Sequence, residues 1–148
     1  MEERSLSVIR ISVRNLVEFV LRSGDLDNRR TAGAKKEAMQ AGGRLHRKIQ
    51  KRMGSEYRAE VSLKHTVDED EFKLLVEGRA DGVIEEAAGC VIDEIKCIYM
   101  DLKYLEDADP VHLAQAKCYA YFLACDRELA AMGVQITYCN IEIGRAHV

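Results

Sequence analysis

The spacing of apolar positions changes period several times along the chain, and each change marks an element. Ser7 to Ile11 is a short β-prone run. Val13, Leu16, Val17, Val20 and Leu21 then recur at the i, i+3, i+4, i+7, i+8 spacing of an amphipathic helix. Ser12 is placed to cap its start and Ser23-Gly24 to end it. A polar loop, basic at Arg29 and Arg30, follows from Asp25 to Gly33. A second helix is expected from about Ala34 to Met53, stopped by Gly54-Ser55. It contains Gly42-Gly43, and a glycine inside an exposed helix costs about 1 kcal/mol relative to alanine. That cost points to another backbone, or a site, lying close to the helix there.

Beyond this helix the period shortens. Val61 to Val67, Phe72 to Glu86 and Cys90 to Ile98 read as three strands. The acidic tip Asp68-Glu-Asp-Glu71 separates the first two, and Ala87-Ala88-Gly89 the last two. Asp109-Pro110 is an N-cap followed by proline at the first helical position, opening a long helix from about Val111 to Met132. Gly133 ends it, and Val134 to Ile141 forms a last strand. The order β-α-α-β-β-β-α-β predicts an α/β sandwich with a central mixed sheet.

Composition narrows the class without changing this picture. The chain has 148 residues, 47% hydrophobic and 32% charged, enough for one domain with a real core. No apolar run approaches the roughly 20 residues that span a bilayer, and the charged start Met1-Glu-Glu-Arg4 is unlike a signal peptide, so a cytoplasmic protein is expected. Five cysteines, odd in number and without CxxC spacing, read as free thiols rather than a disulfide framework. The net charge of −3 hides an asymmetry: the first 65 residues are basic and the remainder strongly acidic. Cations for phosphates beside carboxylates for divalent ions suit an enzyme acting on a polyanion, and they also suit self-association. The terminal Glu142-Ile-Gly-Arg-Ala-His-Val148 reads like translated sequencing adapter, which sets the expected domain at residues 1–141, incomplete at its C-terminus, with a scar at 142–148.

The chemistry concentrates on the central hairpin. Alternation puts Glu94 and Lys96 on one strand face with Ile95 on the other. A tight turn centred on Ala87-Ala88 places Asp81 opposite Glu94. Two carboxylates and an ammonium on a buried hairpin are costly unless something needs them, and a divalent ion is the natural partner. Taken singly, each residue has an ordinary reading. Asp81-Gly82 suits a turn, and Glu94 with Lys96 suits a solvated pair. His46 suits a core histidine bonded to a carbonyl, and Tyr119 a core aromatic.

Together, Gly78-Arg-Ala-Asp81 and Glu94-Ile-Lys96 resemble the core of the PD-(D/E)XK nucleases, in which such an Asp and an (Asp/Glu)-x-Lys form the catalytic centre. Gly42-Gly-Arg-Leu-His46 and Gln115-Ala-Lys-Cys-Tyr119 resemble the helix histidine and Gln-x-x-x-Tyr of the RecB/AddB-like subgroup, which includes CRISPR-adaptation exonucleases. Helical spacing puts His46 on the inward face with Gly42, Gly43, Ile49 and Gln50, and puts Gln115 and Tyr119 on one face of theirs. The runs Ile11–Asp25 and His112–Tyr121 are similar to the nuclease domain at the N-terminus of some bacterial XPD/DinG-type DNA helicases.

The resemblance implies a restriction-endonuclease-like core and metal-dependent phosphodiester hydrolysis within a helicase-nuclease of DNA repair or recombination. His46, Asp81, Glu94 and the Ile95 carbonyl would hold Mg2+ or Mn2+. Lys96 would act on the attacking water, and Gln115 and Tyr119 would position the DNA strand or the lysine. The basic helix face of Arg44, Arg47, Lys48, Lys51 and Arg52 would bind DNA phosphates without reading sequence. A covalently linked helicase part would lie beyond this chain, which has no Walker-type Gly-Lys-Ser/Thr. The cysteines do not show the layout of the iron–sulfur cluster that some subgroup members carry, and Cys97 directly after Lys96 implies local crowding. Two rivals remain: a non-catalytic DNA-binding or scaffolding module of a helicase, and a binding domain unrelated to nucleic acid whose acids hold a structural ion.

Overall fold

The computed structural model describes residues 7–21, 32–98, 102–104, 106–140 and 145–147, with side chains described in most of these. It contains β1 (Ser7–Ser12), α1 (Val13–Val20), α2 (Ala32–Arg52), β2 (Tyr57–Asp68), β3 (Phe72–Glu86), β4 (Gly89–Ile98), a 3-10 turn (Leu102–Tyr104), α3 (Pro110–Arg127), β5 (Gly133–Asn140) and β6 (Arg145–His147). The strands form one six-stranded mixed sheet in the order β1-β3-β4-β5-β6, with β2 on the other edge of β3. β1 runs parallel to β3, and β4 parallel to β5, while β2–β3, β3–β4 and β5–β6 are antiparallel. The α/β class with a central mixed sheet flanked by helices is therefore the one expected. No helix among the described residues is long and apolar enough to cross a membrane.

Local chemistry explains the element ends. Ser12 caps α1 by accepting from Asn15 N at 3.0 Å, and Asp109 caps α3 by accepting from Val111 N at 2.8 Å. α3 stops at Arg127, short of the expected Met132, because Glu128 turns into the left-handed region with φ 55° and closes the helix through its own N–H. β2 starts at Tyr57, four residues earlier than expected. The Ser23-Gly24 stop and most of the Asp25–Gly33 loop lie outside the described residues. β6 falls within the terminal stretch set aside as adapter-like and pairs with Tyr138 to Asn140 of β5.

The two sheet faces carry unequal cores. One face packs under α1 and α3 around Val13, Val17, Val76, Ala80, Val83, Ile92, Ala116, Phe122 and Leu123. The opposite face holds a small cluster in which Leu45 and Ile49 of α2 meet Ile95, Cys97 and Cys139. Within β3 the core-facing positions change parity, from Val76 and Ala80 to Val83. The pleat is therefore reset at Asp81 and Gly82, and strict alternation fails at the residues that matter most.

Candidate active site

The site lies where β3 changes neighbours. β1 pairs with β3 up to Ser12↔Glu77, and β4 pairs with it from Gly82↔Asp93 to the turn. Between them, Gly78 to Asp81 have β2 on one side and no strand on the other. Asp81 and Glu94 are the next residues beyond the last β3–β4 rung, in the register expected from a turn centred on Ala87-Ala88. There the ladder gives way to side chains. Ile95 N donates to Asp81 Oδ2 at 2.7 Å, and Asp81 N donates to Glu94 Oε1 at 3.4 Å. Tyr119 of α3 fills the gap, its ring standing where a Cβ at Gly78 would lie and its hydroxyl bonding with the Arg79 backbone. Backbone donors left by the fork thus find partners without a strand.

α2 brings the histidine. Ile49 and Leu45 anchor the helix on Ile95, Cys97 and Cys139, which seats His46 Nε2 2.9 Å from the Ile95 carbonyl and 3.4 Å from Asp81 Oδ2. Burial works against a charged imidazole, but the Asp81 carboxylate and the Ile95 carbonyl outweigh it and raise the His46 pKa above 6.5. Arg44, Arg47, Lys48, Lys51 and Arg52 are all exposed, on the outer side of the helix as expected. At the Gly42-Gly43 pair, where a close approach was expected, α2 meets the Cys97 side chain, whose Sγ donates to the Gly42 carbonyl at 3.6 Å, and a Cβ at either glycine would make only ordinary contacts.

Glu94 is nearly buried, and Lys96 Nζ lies 3.7 Å from its Oε2. Burial, then the neighbouring Asp81 charge, push the Glu94 carboxyl up to about 8 despite the pull of Lys96. Such an acid, next to a second carboxylate, a carbonyl and an imidazole, is a donor set suited to a hard divalent cation. Burial followed by the charges of Glu94 and Asp81 push the Tyr119 phenol up to about 12, which puts it within reach of the same field. Gln115 is buried one turn before Tyr119, and its Oε1 has no hydrogen-bond partner among the described residues.

Five residues enter the site, or support it, that the sequence does not single out as ligands or supports. Gln50 Nε2 donates to the Asp81 carbonyl at 2.9 Å and to Glu60 Oε1 at 3.0 Å. Gln50 is four residues from His46, so helical spacing alone placed it on the inward face. Glu60 had no such signal. It sits on the rung between Ala59↔Gly82 and Val61↔Ala80, facing Asp81, with a left-handed φ of 56°. That conformation costs a non-glycine residue roughly 1–2 kcal/mol. His46, Glu60 and Asp81 each offer a ligand atom within 4.8 Å of the others, a grouping that includes Glu60 in place of the expected Glu94. Behind the site, fully buried Asp93 accepts from Tyr57 OH at 2.8 Å and from Thr137 Oγ1 at 2.6 Å. The Tyr57 ring occupies the space where a Cβ at Gly82 would stand, so this pair fixes the last rung before the fork. Cys97 does not crowd Lys96: it faces α2, while Glu94 and Lys96 share the other side of β4.

No family model matches the chain, and no curated protein matches it. Among solved structures it is similar to the crystal structure of SSO0001, with a TM-score of 0.59 and 17% identity. The similarity covers 99% of this chain and 66% of that one, so the chain spans just under two thirds of its neighbour's length. At that identity the likeness speaks for the fold alone.

Proposed function

We propose that the chain is a metal-dependent DNA nuclease domain of the PD-(D/E)XK type, cytoplasmic and linked to a helicase acting in DNA repair or recombination. The observation that carries this reading is the convergence of His46 Nε2, Asp81 Oδ2 and the Ile95 carbonyl, from three distant stretches of chain, beside Glu94 and Lys96. This is the set of groups that the sequence resemblance calls for, assembled at a fork in the sheet.

His46, Asp81, Glu94 and the Ile95 carbonyl would hold the ion, with Glu60 close enough to join them. Mg2+ or Mn2+ supplies, when bound, polarisation of the phosphate and activation of water. The protein's own groups do the rest. Lys96 places an ammonium beside the buried carboxylate, where it orients the attacking water and offsets charge growing on the phosphate oxygens. Tyr119 and Gln115 line the α3 side and hold the strand against that ammonium. The exposed cations of α2 attract the DNA backbone, so binding weakens steeply with salt.

The test is cleavage of end-labelled single- and double-stranded DNA with Mg2+ or Mn2+, comparing the chain with its Glu94→Ala variant. Metal-dependent cutting that disappears in the variant is the expected result. A folded chain that binds DNA and does not cut in either metal overturns the nuclease and leaves a non-catalytic DNA-binding module.

A further inference from the structure

The face of α3 that carries Gln115 and Tyr119 begins one turn earlier, at His112. These three residues fall at i, i+3 and i+7, on one side of the helix. Gln115 is 5% exposed, and its Oε1 is a buried polar atom without a partner among the described residues. Burying an unsatisfied amide oxygen is unfavourable, which marks this face as something other than plain core.

His112 is tied to the catalytic strand through Tyr138. Tyr138 is the register partner of Lys96 across the β4–β5 ladder, and its ring centroid lies 5.7 Å from that of His112. The Tyr138 hydroxyl is 2.9 Å from Asp109 N and 2.9 Å from His112 Nδ1. The Asp109 amide can only donate, so the phenol oxygen accepts there, and among the described residues His112 Nδ1 is the one acceptor within reach of the phenol proton. This chain of bonds assigns Nδ1 as the acceptor and puts the ring proton on Nε2. Burial, then the Lys96 ammonium, lower the His112 pKa below 6.5, so the ring is neutral at pH 7. Nε2–H has no hydrogen-bond partner among the described residues.

We infer that His112 is a phosphate-binding residue, whose Nε2–H donates to a phosphodiester oxygen of a nucleic-acid strand lying between α3 and Lys96. This rests on the nuclease reading for its substrate. A neutral donor held in place by Tyr138 fits the task, because it fixes the phosphate by direction while Lys96 supplies the charge. A second cation at this place would instead repel Lys96.

The experiment uses the full chain and its His112→Ala, His112→Asn and His112→Gln variants. Affinity for a short single-stranded DNA oligonucleotide is measured with Ca2+, and KM and kcat for cleavage with Mg2+. His112→Ala and His112→Asn are expected to weaken binding and raise KM about tenfold, the scale of one hydrogen bond to a charged group. His112→Gln, whose amide reaches the Nε2 position, is expected to stay within about threefold of the unaltered chain, a rescue that the shorter Asn cannot give. Equal losses in Gln and Asn that follow a drop in thermal stability assign a structural role and overturn the inference. So do three variants that bind and cut like the unaltered chain, in which case the nuclease reading stands without it. A chain that binds DNA in a His112-dependent way yet does not cut keeps the phosphate contact and removes the nuclease. No DNA binding by the unaltered chain removes both.

Discussion

The two ends of the β3–β4 hairpin are built from the same strands and behave as opposites. At the closed end, rungs from Gly82↔Asp93 to Glu86↔Gly89 form an ordinary antiparallel ladder with Val83 and Ile92 fully buried beneath it. At the open end the strands part, and side chains meet three of the backbone groups near the fork: Asp81 takes Ile95 N, Glu94 takes Asp81 N, and Tyr119 meets Arg79. The closed end is held by apolar packing, its one buried acid, Asp93, is satisfied by Tyr57 and Thr137, and Glu85 is ion-paired with Arg58 and Arg127. The open end gathers carboxylates that repel one another, and it is tolerated because those carboxylates also replace ladder hydrogen bonds. The difference teaches that the carboxylates gathered at this site are part of its scaffold, so removing one changes both its charge and its geometry.

That coupling can be broken by an isosteric change. Asp81→Asn keeps an oxygen to accept from Ile95 N while removing the charge that faces His46. Metal-dependent cleavage is expected to fall by about 10^3-fold, the scale of losing one well-placed electrostatic group, with the melting temperature nearly unchanged. Asp81→Ala, which also strips the Ile95 bond, is expected to lose as much activity and to melt several degrees lower. Equal melting temperatures for the two variants, measured by calorimetry, would sink the claim that the carboxylate serves as scaffold.

The closed end sharpens the contrast from the other side. Ile92→Ala empties fully buried volume and is expected to destabilise the domain by about 2–5 kcal/mol. At a temperature where the variant remains folded, cleavage per folded molecule is expected to stay within a few-fold of the unaltered chain. Urea unfolding followed alongside cleavage checks both. A loss of activity as large as that of Asp81→Asn in a folded variant would mean that the two ends are not separable.

Proton linkage distinguishes the ends by pH. Glu94, raised to about 8 by burial and by Asp81, binds its proton more tightly folded than at its ordinary 4.5. Its contribution to stability is therefore fully present below 4.5 and is lost as pH rises through about 8 in the metal-free chain. A divalent ion needs Glu94 ionised and His46 neutral, both of which higher pH favours. Mn2+ affinity measured by calorimetry is thus expected to rise severalfold to tenfold from pH 6 to pH 8, with proton release, and metal should restore the stability lost at alkaline pH. Affinity that does not change over this range would remove Glu94 and His46 from the ligand set.

Much of this arrangement was legible in the chain and some was not, for physical reasons. The Asp81–Glu94 neighbourhood followed from a two-residue turn and a symmetric register, because a hairpin's geometry propagates from its turn. His46 was placed inward by helical period, with Ile49 buried beside it and the basic residues outside. Glu60 was not legible, since its contact with the site depends on a left-handed residue inside a strand and on a pleat reset, neither of which leaves a periodic trace. The Tyr57–Asp93–Thr137 network was hidden likewise: it joins three strands far apart in sequence, and nothing local marks Asp93 as a fully buried acid.

The smallest expected effect separates two kinds of glycine. Gly78 and Gly82 lie beneath the rings of Tyr119 and Tyr57, so any Cβ there must displace an aromatic group that holds the fork. Gly42 invites the same reading because it also faces the site's strand, but the distances differ. A Cβ at Gly42 would stand 3.6 Å from Cys97 Cβ, and one at Gly43 would meet the end of the Arg47 side chain at 3.5 Å, both ordinary contacts. The helical penalty of glycine is therefore not enforced by sterics at either position. Gly42→Ala is expected to stabilise the domain by up to about 1 kcal/mol through helix propensity, and Gly78→Ala to destabilise it and reduce cleavage by displacing Tyr119. If Gly42→Ala instead lowers the melting temperature, α2 must approach β4 more closely than the Cys97 contact allows, and the seat of His46 would be tighter than its 2.9 Å bond to the Ile95 carbonyl implies.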